Sequence, residues 1–542
     1  MYREPACAPA ALVKSQGHHP RGSHACFPRR PHQYDAGRRL PLSAAPRAAG
    51  SVETGGIRPW VALLEGFAGS LLVLAGSVGV GWIANGSPMI RNPIVIAMRT
   101  DGTAVLASTI MLTLGAMVLL RSWLRLGQRL HGWGPGSLRR VVHAVVAWSA
   151  PLLVAVPIFS RDVYAYTGQG RLMAEGLNPY TTGISALSNW FMLGTDPSWA
   201  ENRTPYGPLF LWLSRWVVAA TGAQPDVSVL LFRLLACIGV ALCVYFVPKL
   251  AQLHGINGAR ALWLTAANPL FLISFVASAH NDALMVGLAV AGTYYAAVRK
   301  PLLGIVLVTA SIAVKPITIV VLPFIGLLWA GSAAGWKRKL ACWAGTAALS
   351  AALLFLAGLP HGLGFGWTWA LLDATPGYTG YSPSGFGGQM VELAGNALGL
   401  DGGAMGDGFR KLLTLASMAM AAWLVLFGNP KRVVRRLACA FAAVVLLAPI
   451  IQPWYVLWFL PFLAATGIRN NWQVKVLYVV VGFFVVFGAQ DQVFVWNFVV
   501  LPVSAHALSY WVALAAVAYL LLLDVHTRRL VFNRPPVTLP PR

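Results

Sequence analysis

Acidic residues are scarce in this chain: 17 Asp and Glu stand against 41 Lys and Arg among 542 residues, and charged residues of both signs make up 11%. A soluble domain carries about a quarter charged residues, so a water-facing surface of ordinary extent is excluded. Cysteine is scarce as well. Of the six, Cys7 and Cys26 sit in a polar N-terminal stretch, and Cys237, Cys243, Cys342 and Cys439 fall in or beside apolar runs. That placement excludes a disulfide framework and leaves small buried thiols. Residues 1–58 lack the apolar core of a signal peptide. No internal repeat is visible. No cluster of His, Cys, Asp and Glu has metal-ligand spacing, so neither a metal nor a cofactor is expected.

What is abundant is apolar: 57% of residues are hydrophobic, with a mean hydropathy of +0.64. A membrane span needs about 20 mostly apolar residues, and about fourteen stretches approach that criterion. They lie near 59–83, 103–121, 140–159, 226–248, 260–277, 281–298, 301–314, 316–330, 338–358, 409–427, 435–451, 453–467, 473–489 and 505–524. The runs 301–314 and 316–330 are short, as tilted, broken or re-entrant segments would be. The expected fold is an all-α polytopic membrane protein. Residues 1–58 read as a disordered basic cytoplasmic tail, 59–530 as one integral membrane domain, and 531–542 as a second cytoplasmic tail.

The formal charge of +24 suggests nucleic acid in a soluble protein, but here its distribution excludes that partner. Lys and Arg gather in alternate loops: Arg121 to Arg140, Lys249 and Arg260, Arg299 and Lys300, Lys337 to Lys339, Lys431 to Arg436, and Arg528 and Arg529. This is the positive-inside pattern of a multi-pass plasma-membrane protein, in one register with both termini cytoplasmic. The acids go the other way. Asp162, Glu175, Asp196 and Glu201 share one exported loop, 160–225. Asp373, Glu392, Asp401 and Asp407 share another, 359–408, which has no Lys or Arg. Residues 205–221 read as an interfacial or re-entrant helix, with Trp212 and Trp216 at headgroup depth and Arg215 snorkelling. The chemistry is therefore expected on the extracytoplasmic side.

Four constellations could carry it. Ser160-Arg161-Asp162 opens a short helix expected from Arg161 to about Glu175, with Ser160 as N-cap and Gly176 as terminator. Asp162, Tyr166 and Gln169 then share a face. Asp162 reads either as a general base for a sugar hydroxyl or as a helix-start aspartate that only steadies the turn. His280-Asn281-Asp282 begins another span and reads either as a substrate-orienting pair or as plain capping. Lys315, before Pro316, runs against the positive-inside trend. It reads as a phosphate-binding cation or as a snorkelling lysine. Gln452-Pro453-Trp454-Tyr455 stands at a further helix mouth, and Trp367, Trp369 and Tyr378 lie in the second exported loop. Aromatic faces beside scattered polar groups suit sugar rings, although an aromatic belt would supply similar residues.

In order along the chain, the segments Ser160 to Tyr166, Gly176 to Tyr180, Pro205 to Leu211, Ala267 to Leu270, His280 to Met285, Val314-Lys315 and Gln452 to Tyr455 carry a resemblance. The chain is similar to the actinobacterial α-1,6-mannopyranosyltransferases of the Mpt type, and closer to the B-type than to the A-type enzyme. These are GT-C glycosyltransferases. The resemblance implies mannose transfer from polyprenyl-phosphate-mannose to a lipid-linked mannan acceptor, building lipomannan and lipoarabinomannan. It places the functional aspartate at Asp162. Lys315 and Arg161 would hold the phosphate, His280 and Asp282 would position substrate, and Tyr206, Trp367, Trp369 and Tyr378 would carry acceptor sugars. Some relatives have a long cytoplasmic insertion before Val314-Lys315, where this chain has only Arg299-Lys300-Pro301. The alternatives are a GT-C transferase for another sugar and a lipid-linked sugar flippase. A flippase usually shows mid-membrane ionisable residues and repeats, and here Glu65, the clearest interior acid, lies near the cytoplasmic end.

Overall fold

The computed structural model describes residues 59–130, 132–372, 377–494 and 504–532. The tail expected at 1–58, most of that at 531–542, and Asp373 lie outside the described residues. Among the described residues every regular element is helical.

Each of the apolar stretches forms helix, but they differ in reach. Seven are long and apolar enough to cross a membrane: Pro59–Val80, Gly102–Arg129, Pro225–Leu253, Trp336–Gly358, Gly402–Leu426, Trp472–Val493 and Ala505–Leu523. A broken pair, Gly258–Leu264 and Pro269–Ala277, bends by 62°. The helices Asp282–Ala297, Pro301–Val314, Pro316–Ala330, Pro453–Thr466 and Pro208–Thr221 are shorter. Proline opens most of these short helices, where its missing N–H costs nothing and its fixed φ suits the first turn. Asparagine or glutamine caps three of the others: Gln224 accepts from the Val227 N–H, Asn257 from Arg260 and Asn268 from Leu270.

The span expected at 140–159 stops at Leu152, one residue past Pro151, and the chain then runs irregularly to Phe159. Backbone released inside a membrane must find partners from neighbouring helices. Here it does. The Val156 N–H donates to the Ser77 hydroxyl at 3.0 Å, and the Phe159 N–H to the Gln492 amide oxygen at 2.6 Å. The Leu153 carbonyl accepts from the Arg233 guanidinium at 2.9 Å.

At the basic end of the molecule, Glu65 pairs with Arg121 and, at 3.1 Å, with Arg125. Asp524 accepts from Arg125 at 3.0 Å. The network ties the first two long helices to the C-terminal helix Val525–Phe532 just past Asp524. Glu65 is thus consumed by structure.

Helix crossings in the middle of the bundle depend on missing side chains. A Cβ on Gly239 would lie 2.1 Å from the Ala283 carbonyl carbon, and one on Gly287 would lie 2.5 Å from the Gly239 oxygen. The two helices therefore touch backbone to backbone, the small-residue packing that serves where no hydrophobic drive separates helix from lipid. Gly239→Ala should lower stability by about 1–3 kcal/mol through forced separation. Gly408→Ala, in a helix where the added methyl meets nothing within 4 Å, should be neutral or mildly stabilising. Thermal unfolding in detergent compares the two, and equal behaviour would contradict the close crossing.

Candidate active site

Two chain breaks, at 153–161 and 278–281, build the site. The helix after the first spans Asp162–Ala174, one residue shorter at each end than expected. Arg161, not Ser160, is its N-cap, and no side chain caps it. The Ser160 hydroxyl instead accepts the Asp162 N–H at 3.2 Å. Gly176, at φ +79°, ends the helix in the left-handed conformation that glycine adopts without strain. In the second break Asn281 occupies the N-cap position without a side-chain capping bond, so neither it nor Asp282 is a plain cap.

The breaks are joined. Ser278 Oγ donates to the Ile158 carbonyl at 2.6 Å. Arg233, buried in the Pro225–Leu253 helix, donates to the Ala277 carbonyl at 2.6 Å as well as to Leu153. Asp162 and the His280-Asn281-Asp282 turn are brought side by side as a result.

Asp282 is fully buried, and its Oδ1 accepts from Lys315 Nζ at 2.9 Å and from the Trp458 indole at 2.6 Å. Lys315 is extended, at the end of Pro301–Val314. Its ammonium lies 5.0 Å from the Trp458 ring centre, 5.6 Å from Tyr455 and 5.7 Å from Tyr206, an aromatic cage around a cation. His280 Nδ1 stands 3.7 Å from a carboxylate oxygen of both Asp162 and Asp282, too far for a hydrogen bond. Burial pulls the imidazole down to about 3 against the pull of Asp282, and the Lys315 charge lowers it further. It is therefore neutral and packs under the Trp454 ring at 4.0 Å. Burial also pushes the Asp162 carboxyl up to about 6. The Lys315 charge and the Ser160 hydroxyl oppose that rise, and Asp282 adds to it.

Asp162 and Lys315 open on one cavity of about 480 Å³, within the size range of small-ligand sites. Its walls also include Arg161, Asp196, Tyr206, Gln452, Trp454 and Tyr455. Arg161 is held by Asp196 at 2.9 Å, with its guanidinium 4.7 Å from the Trp82 ring centre.

The other expected residues are placed elsewhere. His280 and Asp282 lie beneath the cavity floor. Tyr166 is buried behind it in edge contact with Tyr206, Phe210 and Phe232, its hydroxyl 3.4 Å from His280 Nδ1 and Asn281 Oδ1. Gln169 is buried two turns further along the same helix and does not line the cavity. Nor do Trp367, Trp369 and Tyr378. Trp367 is buried, Trp369 is exposed, and Tyr378 stacks on the Arg410 guanidinium at 3.8 Å. The cavity wall also holds residues that the sequence did not single out: Trp82, Phe159, Trp199, Ile450, Phe487, Gly488 and Asp491. Asp491 had the same signal as Asp162, an acid at the mouth of an apolar run. Among the described residues no group of three or more His, Cys, Asp or Glu is gathered as for a metal ion.

Converging helix ends, a carboxylate facing a caged lysine, and a wall of aromatic rings give this polytopic membrane enzyme one polar, aromatic-walled cavity. Its relatives say which kind. Residues 63–331 match the family described as alpha-(1->6)-mannopyranosyltransferase, N-terminal domain, and residues 385–522 match the MptB C-terminal domain. A probable alpha-(1->6)-mannopyranosyltransferase of Mycolicibacterium smegmatis is 30% identical over 87% of this chain and 89% of its own length. An alpha-(1->6)-mannopyranosyltransferase of Mycobacterium tuberculosis is 30% identical over 76% of this chain and 80% of its own. Alpha-(1->6)-mannopyranosyltransferase A of the same organism is 37% identical over 49% of this chain and 51% of its own. No solved structure matches. The chain belongs to the alpha-(1->6)-mannopyranosyltransferase family.

Removing one partner of a buried ion pair costs more than replacing both by apolar groups. Asp282→Ala should lower stability by about 3 kcal/mol, because Lys315 and the Trp458 N–H lose their shared acceptor. The double variant Asp282→Leu with Lys315→Met should lose distinctly less. Denaturant unfolding in detergent reads both, and equal losses would deny the pair its structural role.

Proposed function

We propose that this mannosyltransferase moves mannose from polyprenyl-phosphate-mannose to O6 of a lipid-linked mannan acceptor, with inversion, in lipomannan and lipoarabinomannan assembly. The reaction takes place at the outer face of the plasma membrane. The observation that carries this reading is the pairing of Asp162 and Lys315 on one cavity. One group takes a proton, and the other meets a phosphate.

Orientation is supported by the course of the chain. The helices Pro301–Val314, Pro453–Thr466 and Trp472–Phe494 bring Lys315, the Gln452 segment and Asp491 to the cavity. Their other ends adjoin Arg299 and Lys300, Arg469, and Lys475. The cavity therefore lies at the end away from the basic loops, which are retained in the cytoplasm.

In the reaction, the acceptor O6–H gives its proton to the Asp162 carboxylate as O6 attacks C1 of the donor mannose from the face opposite the phosphate. The C1–O bond breaks, its electron pair goes to the phosphate oxygen, and the β-linked donor becomes an α-linked product. The leaving phosphate gains one negative charge. Lys315 has two remaining N–H donors for it, and Arg161 adds a second cation at the wall, so the charge develops against groups already oriented. A phosphate monoester leaves without a proton, so one base suffices where glycosidases use two carboxylates. Asp162, with its carboxyl near 6, is ionised at neutral pH yet more basic than a solvated aspartate, which suits a general base. The match of residues 385–522 to the MptB C-terminal domain supports a B-type role.

Asp162→Asn should reduce transfer from polyprenyl-phosphate-mannose by about 10²–10⁴-fold without loss of expression. Near-normal transfer would remove the base. The rate in the wild type should rise with pH through about 6 and then level, because only the ionised carboxylate accepts the proton. Lys315→Ala removes a charge that lowers the Asp162 carboxyl, so the same limb should move to higher pH while the apparent KM for the lipid donor rises. A flat profile from about pH 5 to 8 would contradict the assignment.

A further inference from the structure

In the proposed transfer the donor phosphate meets Lys315 and Arg161 and the acceptor O6 meets Asp162, but the acceptor ring has no group to orient it. Across the same cavity stands a second carboxylate. Asp491 lies near the C-terminal end of the Trp472–Phe494 helix, and Phe487 and Gly488, one turn earlier on the same face, line the cavity with it. It is exposed and accepts no hydrogen bond among the described residues, and His506 acts on it electrostatically. Carboxylates elsewhere in the cavity are committed: Asp196 to Arg161, and Asp162 to the transferred proton.

The position of Asp491 relative to Asp162 is rigidly set. The next residue, Gln492, is buried, accepts the Phe159 N–H at 2.6 Å and donates to the Val80 carbonyl at 2.6 Å. The Phe159 ring rests directly on Gly488, where a Cβ would come within 2.5 Å of it. Tyr381 packs on Phe487 and donates to the Ile451 carbonyl at 2.7 Å, which ties the same helix to the Gln452 wall. That wall holds an orphan. Trp454 lines the cavity and is 7% exposed, yet among the described residues its indole N–H has no partner. Burying a donor unpaired is costly unless a ligand satisfies it.

We propose that Asp491 and Trp454 form the acceptor subsite of this cavity, for a terminal mannopyranose. The Asp491 carboxylate accepts from two neighbouring ring hydroxyls, and the Trp454 indole donates to a sugar oxygen. The proposal rests on the mannosyl-transfer reading. A carboxylate that accepts two hydroxyls of one ring fixes its orientation, and that orientation selects which oxygen reaches Asp162. Asp491 is here a specificity residue, and the linkage made depends on it.

The test uses the full-length protein in nanodiscs, polyprenyl-phosphate-mannose, and an octyl α-1,6-dimannoside as acceptor. Asp491→Asn, close in shape, should raise the acceptor KM about tenfold or more and leave the donor KM unchanged. Acceptors lacking one ring hydroxyl of the terminal mannose should lose efficiency with the wild type but lose little further with Asp491→Asn. Trp454→Phe should raise the acceptor KM in the same direction. Binding of the dimannoside without donor, followed by saturation-transfer NMR, should weaken in parallel. An acceptor KM and dimannoside binding within about twofold of wild type in both Asp491→Asn and Asp491→Ala would overturn the subsite. So would a donor KM that rises as much as the acceptor KM. If the wild type fails to use the lipid donor, the transfer reading falls, while the binding arm still decides whether Asp491 holds a mannoside.

Discussion

A guanidinium buried among apolar helices, that of Arg233, donates to the Leu153 carbonyl with one nitrogen and the Ala277 carbonyl with another. Those two carbonyls end the helical stretches that precede the chain breaks at 153–161 and 278–281. Irregular backbone is tolerated at membrane depth only where its polar groups are satisfied by protein. Arg233 satisfies both breaks at once, and Ser278 adds a direct link between them through Ile158. Asp162 and Asp282 each begin a helix just past a break. Their separation, and the place of His280 between them, follow from this junction. A charged side chain inside a span is expensive and calls for a specific use. Here the use is to hold two turns in register.

The cavity needs opposite things from its two aspartates. Asp282, fully buried, is spent on Lys315 and Trp458 and fixes where the cation points. Asp162 opens on the cavity with only the Ser160 hydroxyl side by side at its own helix start, so burial raises its carboxyl while Lys315 holds the rise to about 6. Exchanging the environments would leave a weak base facing substrate and an unanchored lysine. His280 fills the space between the two carboxylates as a neutral ring, which avoids adding a third charge to a crowded floor.

Much of this was legible in the sequence. Every apolar run named there forms helix over most of its length, and the mouths of those runs bring Asp162, Lys315, Gln452, Trp454 and Tyr455 to one cavity. Acids are so few in this chain that each one at a helix mouth carried information. Asp491, two residues past the run 473–489, stands at a helix mouth in the same way, although no polar loop like that around Asp162 marks it. Trp367, Trp369 and Tyr378 show the converse. Their composition suited a sugar, but composition cannot say where a loop folds, and the Tyr378 face is covered by Arg410. Nor could spacing show that Tyr166 and Gln169, although on the Asp162 side of their helix, turn into packed interior. A short helix wedged between others buries most of its circumference, so sharing a face with a cavity residue does not bring a neighbour to the cavity.

The geometry of the breaks explains why two residues there adopt a backbone that L-amino acids avoid. Phe159 has φ +63° and Ala279 φ +58°, and each precedes the segment that carries an aspartate. A non-glycine residue held there costs of order 1–3 kcal/mol and persists only when its surroundings over-determine it. The surroundings do so at both. The Phe159 N–H is bonded to Gln492 and its ring lies on Gly488, while Ala279 is enclosed between Ser278, bonded across to Ile158, and the buried His280. Glycine at either position would relieve the strain but would also free the turn, and at 159 it would remove the ring that closes the cavity wall. The sharp reversal lets a new helix start at once beside the end of an old one. That is how a carboxylate comes to stand in the first turn of a helix, with the dipole favouring its ionised form, while burial keeps it basic enough to take a proton.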